Sequence, residues 1–319
     1  MKKKAIITGI SGQDGAYLSK LLLDNNYEVL GITRNKNNFN NFGLTYLGIQ
    51  DLVLIEELDI LNQNKLSNLI SNFKPCEIYH LASQSSVATS KLLPHDTISF
   101  NINSTINILE EVRKCNYKIK VLFSSSSEIY GSDAKLPITE NSILNPQNIY
   151  GISKCTSHKL VDYYRLNYNV FCCNAILFNH ESFLRKDNFF IKKLIKGALN
   201  LKLKKIEFIE LGDLSIKRDF GFAPNYVDAM WLILQNSIAD NFIVSSGVSY
   251  SLEDIVNYVF NKFEISLKLI KKSEIYIREN ECKDIYGDNS KIKKDLNWSP
   301  NSNFFEILDI LINEEVLNI

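Results

Sequence analysis

Ser126, Glu128, Tyr150 and Lys154 bring a hydroxyl, a carboxylate, a phenol and an amine into one short stretch. They stand in Ser124-Ser-Ser-Ser-Glu-Ile-Tyr-Gly131 and Tyr150-Gly-Ile-Ser-Lys154. Tyr150 and Lys154 are four apart on an expected helix and so share a face. An ammonium there stabilises phenolate and lets the tyrosine accept a hydroxyl proton near neutrality. A carboxylate at 128 suits removal of a proton beside a new ketone. With a hydride carrier, these groups could oxidise an alcohol, deprotonate the neighbouring carbon and return the hydride. The plainer alternatives are a surface Tyr/Lys pair and a structural carboxylate.

The carrier has a candidate site upstream. Thr8-Gly9-Ile-Ser-Gly12-Gln-Asp-Gly15 lies between the first expected strand and the first helix. Glycines there let the backbone turn tightly and approach a pyrophosphate at the helix N-terminus. Gly9, Gly12, Gln13, Asp14 and Gly15 are therefore cofactor candidates. Arg34 ends the second strand, where an arginine accommodates the 2′-phosphate of NADP. No metal is expected.

These groups need elements to hold them. Buried strand signals at Lys4 to Thr8, Glu28 to Thr33, Leu52 to Ile55, Glu77 to Tyr79 and Lys120 to Phe123 alternate with helices. Parallel pairing follows, because each connection contains a crossover. The expected fold is α/β, a Rossmann-like doubly wound parallel sheet with a smaller C-terminal substrate-binding domain. The cofactor domain is expected over 1–178 with a return at about 222–246. The substrate domain is expected over 179–221 and 247–319. A helix from Pro146 to about Asn167 carries Tyr150 and Lys154, and the strand Val170 to Phe178 follows it.

Of 319 residues, 45% are apolar and 23% charged, with a formal net charge of zero. A chain of this size buries a large core. Balanced charge gives no general case for nucleic acid or an acidic membrane. Lys2 to Lys4 lead straight into an apolar strand. The six cysteines show no CxxC spacing, and neighbours Cys172 and Cys173 on a strand face opposite ways. Reduced thiols, no signal peptide and no membrane span together predict a cytoplasmic enzyme.

The GxxGxxG spacing resembles the extended short-chain dehydrogenase/reductases. That resemblance implies a Ser/Thr-Tyr-Lys triad at Ser126, Tyr150 and Lys154, an adenine contact at Asp59-Ile60, and a phosphate-side turn at Leu81-Ala82-Ser83. More narrowly, the chain resembles the GDP-mannose 4,6-dehydratase family over nearly its whole length. Thr8 to Leu18 matches that family's opening, including Gln13-Asp14. Ser126-Ser-Glu-Ile-Tyr-Gly131 matches its Thr-Ser-Glu motif with serine for threonine. Asn174-Ala-Ile-Leu-Phe-Asn-His-Glu-Ser182 is the most specific match, and Leu214 to Gly221 resembles its Arg-Asp-Trp-Gly segment.

The resemblance implies that Tyr150 deprotonates O4 of a GDP-linked sugar and NADP takes the C4 hydride. Glu128 then removes the C5 proton, Ser127 helps the C6 hydroxyl depart, and the hydride returns to C6. It also implies substrate contacts at Asn179 and Lys193, a phosphate partner in Arg218, and nucleotide contacts at Arg278 and Glu281. A homo-oligomer, dimer or tetramer, is expected. The chain departs from the family after Ser182, where Phe-Leu-Arg-Lys replaces Pro-Arg-Arg-Gly and leaves Arg185 as the only arginine. A UDP-sugar epimerase or decarboxylase and a catalytically silent cofactor-binding subunit are the alternative readings.

Overall fold

A computed structural model describes residues 2–276 and 282–318. Its first six strands are β1 (Lys3–Thr8), β2 (Tyr27–Thr33), β3 (Leu54–Glu57), β4 (Glu77–His80), β5 (Lys120–Ser126) and β6 (Cys172–Leu177). Then come β7 (Asn179–Glu181), β8 (Ile209–Leu211), β9 (Lys217–Phe222), β10 (Asn241–Val244), β11 (Ser249–Ser251) and β12 (Ile270–Lys272). The main sheet has seven strands in the order β10-β6-β5-β4-β1-β2-β3, and all its pairs are parallel.

The expected Rossmann-like sheet is present. β1 is buried over its last four residues and all of β4 and β6 is buried, as parallel strands covered on both faces must be. One face packs through Leu18, Leu22 and Met230 from the helices Gln13–Asp24 and Ala223–Gln235. The other packs through Ile108, Leu109 and Val161 from Pro94–Lys114 and Ile149–Tyr168. Cys173 belongs to the first of these cores and Cys172 to the second, so the adjacent thiols do face opposite ways. All six cysteines are free.

Strand order reverses between β1 and β4, and that switch point opens a crevice at the carboxyl ends of the strands. A single residue, Phe178, separates β6 from β7, so the chain passes there from the large sheet to a three-stranded one of order β11-β9-β7. The sequence pattern suggests a loop after Asn179; instead Asn179, His180 and Glu181 pair with Phe220, Gly221 and Phe222. Behind the small sheet a separate apolar core gathers Leu194, Ile195, Val259, Phe260, Leu308 and Leu311. Among the described residues, no helix is long and apolar enough to cross a membrane.

Candidate active site

The crevice is a cavity of about 1290 Å³ with its floor at the carboxyl ends of β1, β4, β5 and β6. The glycine turn after β1 forms one end. Gly9 has φ +75°, and a Cβ there would sit 2.8 Å from the Ala82 nitrogen, so this backbone admits only glycine. Gly12 caps the helix Gln13–Asp24 without any side-chain cap. The first helical N–H groups therefore remain for an anion. Gly9, Gly12, Gln13, Asp14, Gly15, Arg34, Ile60, Leu81, Ala82 and Ser83 all line the cavity. Glycine-only backbone, uncapped N–H groups and Arg34 at the far end fit a dinucleotide.

Asp59 is placed differently from its neighbour. Its carboxylate accepts from the Leu61 amide at 3.0 Å and does not line the cavity, whereas Ile60 does. Arg34 is exposed, with its guanidinium 5.4 Å from the Phe100 ring centroid.

The chemistry-bearing groups meet at the centre. β5 ends at Ser126, and a one-turn 3₁₀ helix, Ser127–Ile129, turns Glu128 towards the cavity. Ser126 Oγ accepts from the Glu128 amide at 3.3 Å. The helix Ile149–Tyr168 approaches so closely that a Cβ on Gly151 would lie 2.6 Å from the Glu128 carbonyl oxygen. Its N-cap, Asn148, accepts from the Gly151 amide at 2.8 Å and donates through Nδ2 to Glu128 Oε2 at 2.7 Å. The same side chain thus starts the helix carrying Tyr150 and aims the carboxylate. Sequence reasoning missed Asn148; the only signal was an N-cap residue type beside Pro146.

Tyr150 and Lys154 are both buried, and Ser126, Ser127, Glu128, Tyr150 and Lys154 all line the cavity. Burial pushes the Tyr150 phenol up to about 12, against a hydrogen bond from Ser126 that lowers it. Burial takes the Lys154 ammonium down to about 8. Lys154 Nζ donates to the Ser124 carbonyl at 2.6 Å and lies 5.9 Å from the Tyr150 ring centroid. Desolvation is thus the largest influence on both groups.

A polar clamp joins the glycine turn to the β6–β7 crossing. His180 Nε2 lies 2.9 Å from Asp14 Oδ1, and His180 Nδ1 lies 2.7 Å from the Phe178 carbonyl oxygen. Gln13 donates to the His180 carbonyl at 3.1 Å and accepts from Ser182 Oγ at 2.7 Å. The His180 ring stacks on Tyr226 at 4.6 Å. Gln13 and Asp14 thus hold the β6–β7 crossing as well as lining the cavity at the glycine turn. Glu181 is buried 3.5 Å from Arg185 Nε, and Arg185 lies over the Phe189 ring.

Burial pulls the His180 pKa down, but the Asp14 carboxylate outweighs it and the net shift is upward from 6.5. Burial pushes Asp14 up, but His180 outweighs it and the net shift is downward from 3.8. A raised histidine stabilises fully below 6.5 and ceases to as pH rises through its folded value; the lowered Asp14 ceases to only in acid. His180→Gln should therefore cost most stability between these limits, and its melting-temperature gap from the parent should narrow in alkali. A gap that widens with rising pH would contradict a charged pair.

The substrate-side candidates Asn179, Lys193 and Arg218 also line the cavity. Lys193 Nζ donates to the Glu210 carbonyl at 2.7 Å and sits 3.2 Å from the Tyr276 ring centroid. Arg218 Nη1 donates to the carbonyls of Lys217 and Cys282, each at 2.7 Å. Arg278 and Glu281 lie outside the described residues.

The arrangement has relatives. Residues 6–311 match the family model for GDP-mannose 4,6 dehydratase. GDP-mannose 4,6 dehydratase 2 of Arabidopsis thaliana is 34% identical, over 99% of this chain and 87% of that protein. GDP-mannose 4,6 dehydratase 2 of Caenorhabditis elegans is 33% identical, over 99% and 89%. The Homo sapiens GDP-mannose 4,6 dehydratase is 33% identical, over 98% and 91%. Among solved structures, a dTDP-glucose 4,6-dehydratase of Streptomyces venezuelae with NAD bound superposes with a TM-score of 0.88. It is 19% identical and covers 99% of this chain and 97% of its own. The UDP-glucose 4-epimerase of Thermotoga maritima gives 0.87 at 21% identity, covering 99% of both. At these identities the two structures speak to the fold alone.

Proposed function

The chain belongs to the GDP-mannose 4,6-dehydratase family, and from that membership we propose that it converts GDP-mannose or a closely related GDP-sugar to the 4-keto-6-deoxy product. The observation that carries this reading is Glu128, held by Asn148 in the same cavity as Ser126, Tyr150, Lys154 and the glycine turn. A carboxylate placed there serves removal of a C5 proton, which an epimerase does not need. That separates the dehydratase from the epimerase alternative, and the complete set of groups argues against a silent subunit.

When bound, a nicotinamide cofactor would supply a reversible hydride acceptor for the C4 and C6 chemistry. Gly9, Gly12 and the N-terminus of the helix Gln13–Asp24 would hold the pyrophosphate, and Ile60 would cover the adenine. Tyr150 takes the O4 proton while Ser126 orients the hydroxyl. Lys154 keeps positive charge behind the phenolate. Glu128 takes the C5 proton, and Ser127 stands beside the departing C6 hydroxyl. Asn179, Lys193 and Arg218 would hold the sugar diphosphate, for which a guanidinium is well shaped. Incubation with GDP-mannose and catalytic NADP⁺ should give a product lighter by one water with no net cofactor reduction. An unchanged sugar alongside demonstrable binding would count against this substrate.

Arg34, which lines the cavity, supports NADP in preference to NAD. Arg34→Ala should weaken NADP by about ten- to hundredfold and NAD far less, as loss of a charge-assisted phosphate contact requires. Equal weakening of both in a binding titration would refute the 2′-phosphate role. A homo-oligomer fits the exposed Ile152, Tyr163 and Leu166, which share one side of the helix Ile149–Tyr168.

A further inference from the structure

One fully buried carboxylate, Asp219, stands apart from the reacting groups, in the middle of β9. Side chains alternate along a strand, and its neighbours Arg218 and Phe220 line the cavity, so Asp219 points to the other face. There it accepts three backbone N–H groups from two other segments. Ser246 donates to Oδ1 at 2.8 Å, and Gly247 and Gly287 donate to Oδ2 at 3.1 and 3.3 Å. Ser246 and Gly247 follow β10, the strand at one edge of the large sheet. Gly247 has φ +82°, and the two successive N–H groups converge on the carboxylate as an anion nest.

Gly287 ends a segment that walls the cavity. The Lys283 carbonyl accepts from the Lys217 amide at 2.7 Å and the Ile285 carbonyl from the Asp219 amide at 3.1 Å, so this segment runs along β9. Cys282 and Ile285 line the cavity with Arg218 and Phe220. At Gly287 the segment is wedged so tightly that a Cβ would lie between 2.7 and 2.8 Å from Phe178, Ile243 and Ser245. Asp219 thus joins three pieces: the strand carrying Arg218, the edge of the large sheet, and the outer wall of the cavity.

We propose that Asp219 is a positioning residue for the nucleotide sugar: its ionised carboxylate fixes the wall that carries Arg218, and uptake of a proton loosens that wall and weakens substrate binding. The proposal rests on the dehydratase reading, in which Arg218 meets the sugar diphosphate. Protonation turns one acceptor oxygen into a donor facing N–H groups, and a buried N–H left without an acceptor is costly. Burial pushes Asp219 up to about 6, against the hydrogen bonds from Ser246, Gly287 and Gly247 that lower it. The carboxylate is therefore charged at neutral pH and protonated in mild acid, while a sugar diphosphate keeps its charges throughout. Tyr226 faces it from the helix Ala223–Gln235, and burial pushes that phenol so far up that it stays neutral. On β9 itself Lys217 is exposed, and the outer segment carries Lys283, Asp284 and Asp288. His180 and Glu181 lie on β7, Tyr250 lies on β11, and the helix Phe304–Leu317 meets β9 through uncharged Phe304.

Calorimetric titration of the full chain with GDP-mannose tests this without relying on turnover. Between about pH 7 and about pH 5 the parent's affinity should fall about tenfold, as one proton taken up near pH 6 requires. Asp219→Asn should bind GDP-mannose about tenfold more weakly at neutral pH, with no further fall in acid, because the group that titrates is gone. At neutral pH it should bind NADP⁺ as the parent does, and its KM for the sugar should rise while kcat at saturation holds. Should Asp219→Asn not fold, the parent's own pH dependence decides. A parent affinity that stays level across that range would overturn the positioning role and leave the dehydratase intact. So would a folded variant whose only change is a lower melting temperature. A parent that binds GDP-mannose at neither pH would remove the substrate reading and this role together.

Discussion

Glu128→Gln is expected to bind cofactor and nucleotide sugar as the parent does and to lose dehydration by about 10²- to 10⁴-fold, the range for a positioned acid–base group. The amide oxygen of glutamine can still accept from Asn148 Nδ2, which reaches Glu128 Oε2 at 2.7 Å, so the side chain keeps its place. What it loses is the ability to take the C5 proton. Oxidation at C4 does not involve that group. A 4-keto sugar still carrying its C6 hydroxyl should therefore accumulate on the variant, up to one per site. Rapid quench and mass spectrometry would detect it. Near-parent turnover would remove Glu128 from the reaction.

Tyr150→Phe should lose as much, about 10²- to 10⁴-fold, but at an earlier point. Only one oxygen is removed from a buried ring, so the fold and the melting temperature should hold. Without the phenol no group takes the O4 proton, and no 4-keto sugar should accumulate at all. The pair of variants thus separates the two steps: Glu128→Gln stops after oxidation, Tyr150→Phe before it. A burst of 4-keto sugar from Tyr150→Phe at the parent rate would mean that the proton acceptor lies elsewhere. Burial, with Glu128 and Asp14 adding to it, holds the phenol up at about 12, so nearby positive charge is what would favour the phenolate.

Much of this site was legible in the sequence because its parts are local. The glycine turn, the end of β5 and the four-residue step from Tyr150 to Lys154 are each short patterns whose geometry follows from a strand or a helix. The parallel sheet was legible for the same reason, since buried strands alternated with helices. The Asp14–His180 clamp was not, because its partners are 166 residues apart and meet only when β1 and β6 end at the same edge. Asn148 could be read as a helix start, but its hold on Glu128 depends on how closely Gly151 lets that helix approach. Asp59 and Ile60 looked like one contact; a turn directs the carboxylate to Leu61 and leaves Ile60 facing the cavity. His158, on the helix Ile149–Tyr168, meets Ser125 of β5 and Asn241 of β10, a juxtaposition that no single segment encodes.

The most direct test of the central claim is the fate of a deuterium placed at C4 of GDP-mannose. A 4,6-dehydratase acting through Tyr150 and Glu128 should deliver that deuterium to C6 of the 4-keto-6-deoxy product, with one solvent hydrogen incorporated at C5. Deuterium back at C4 of an epimerised sugar, or retained in an unchanged one, would contradict it.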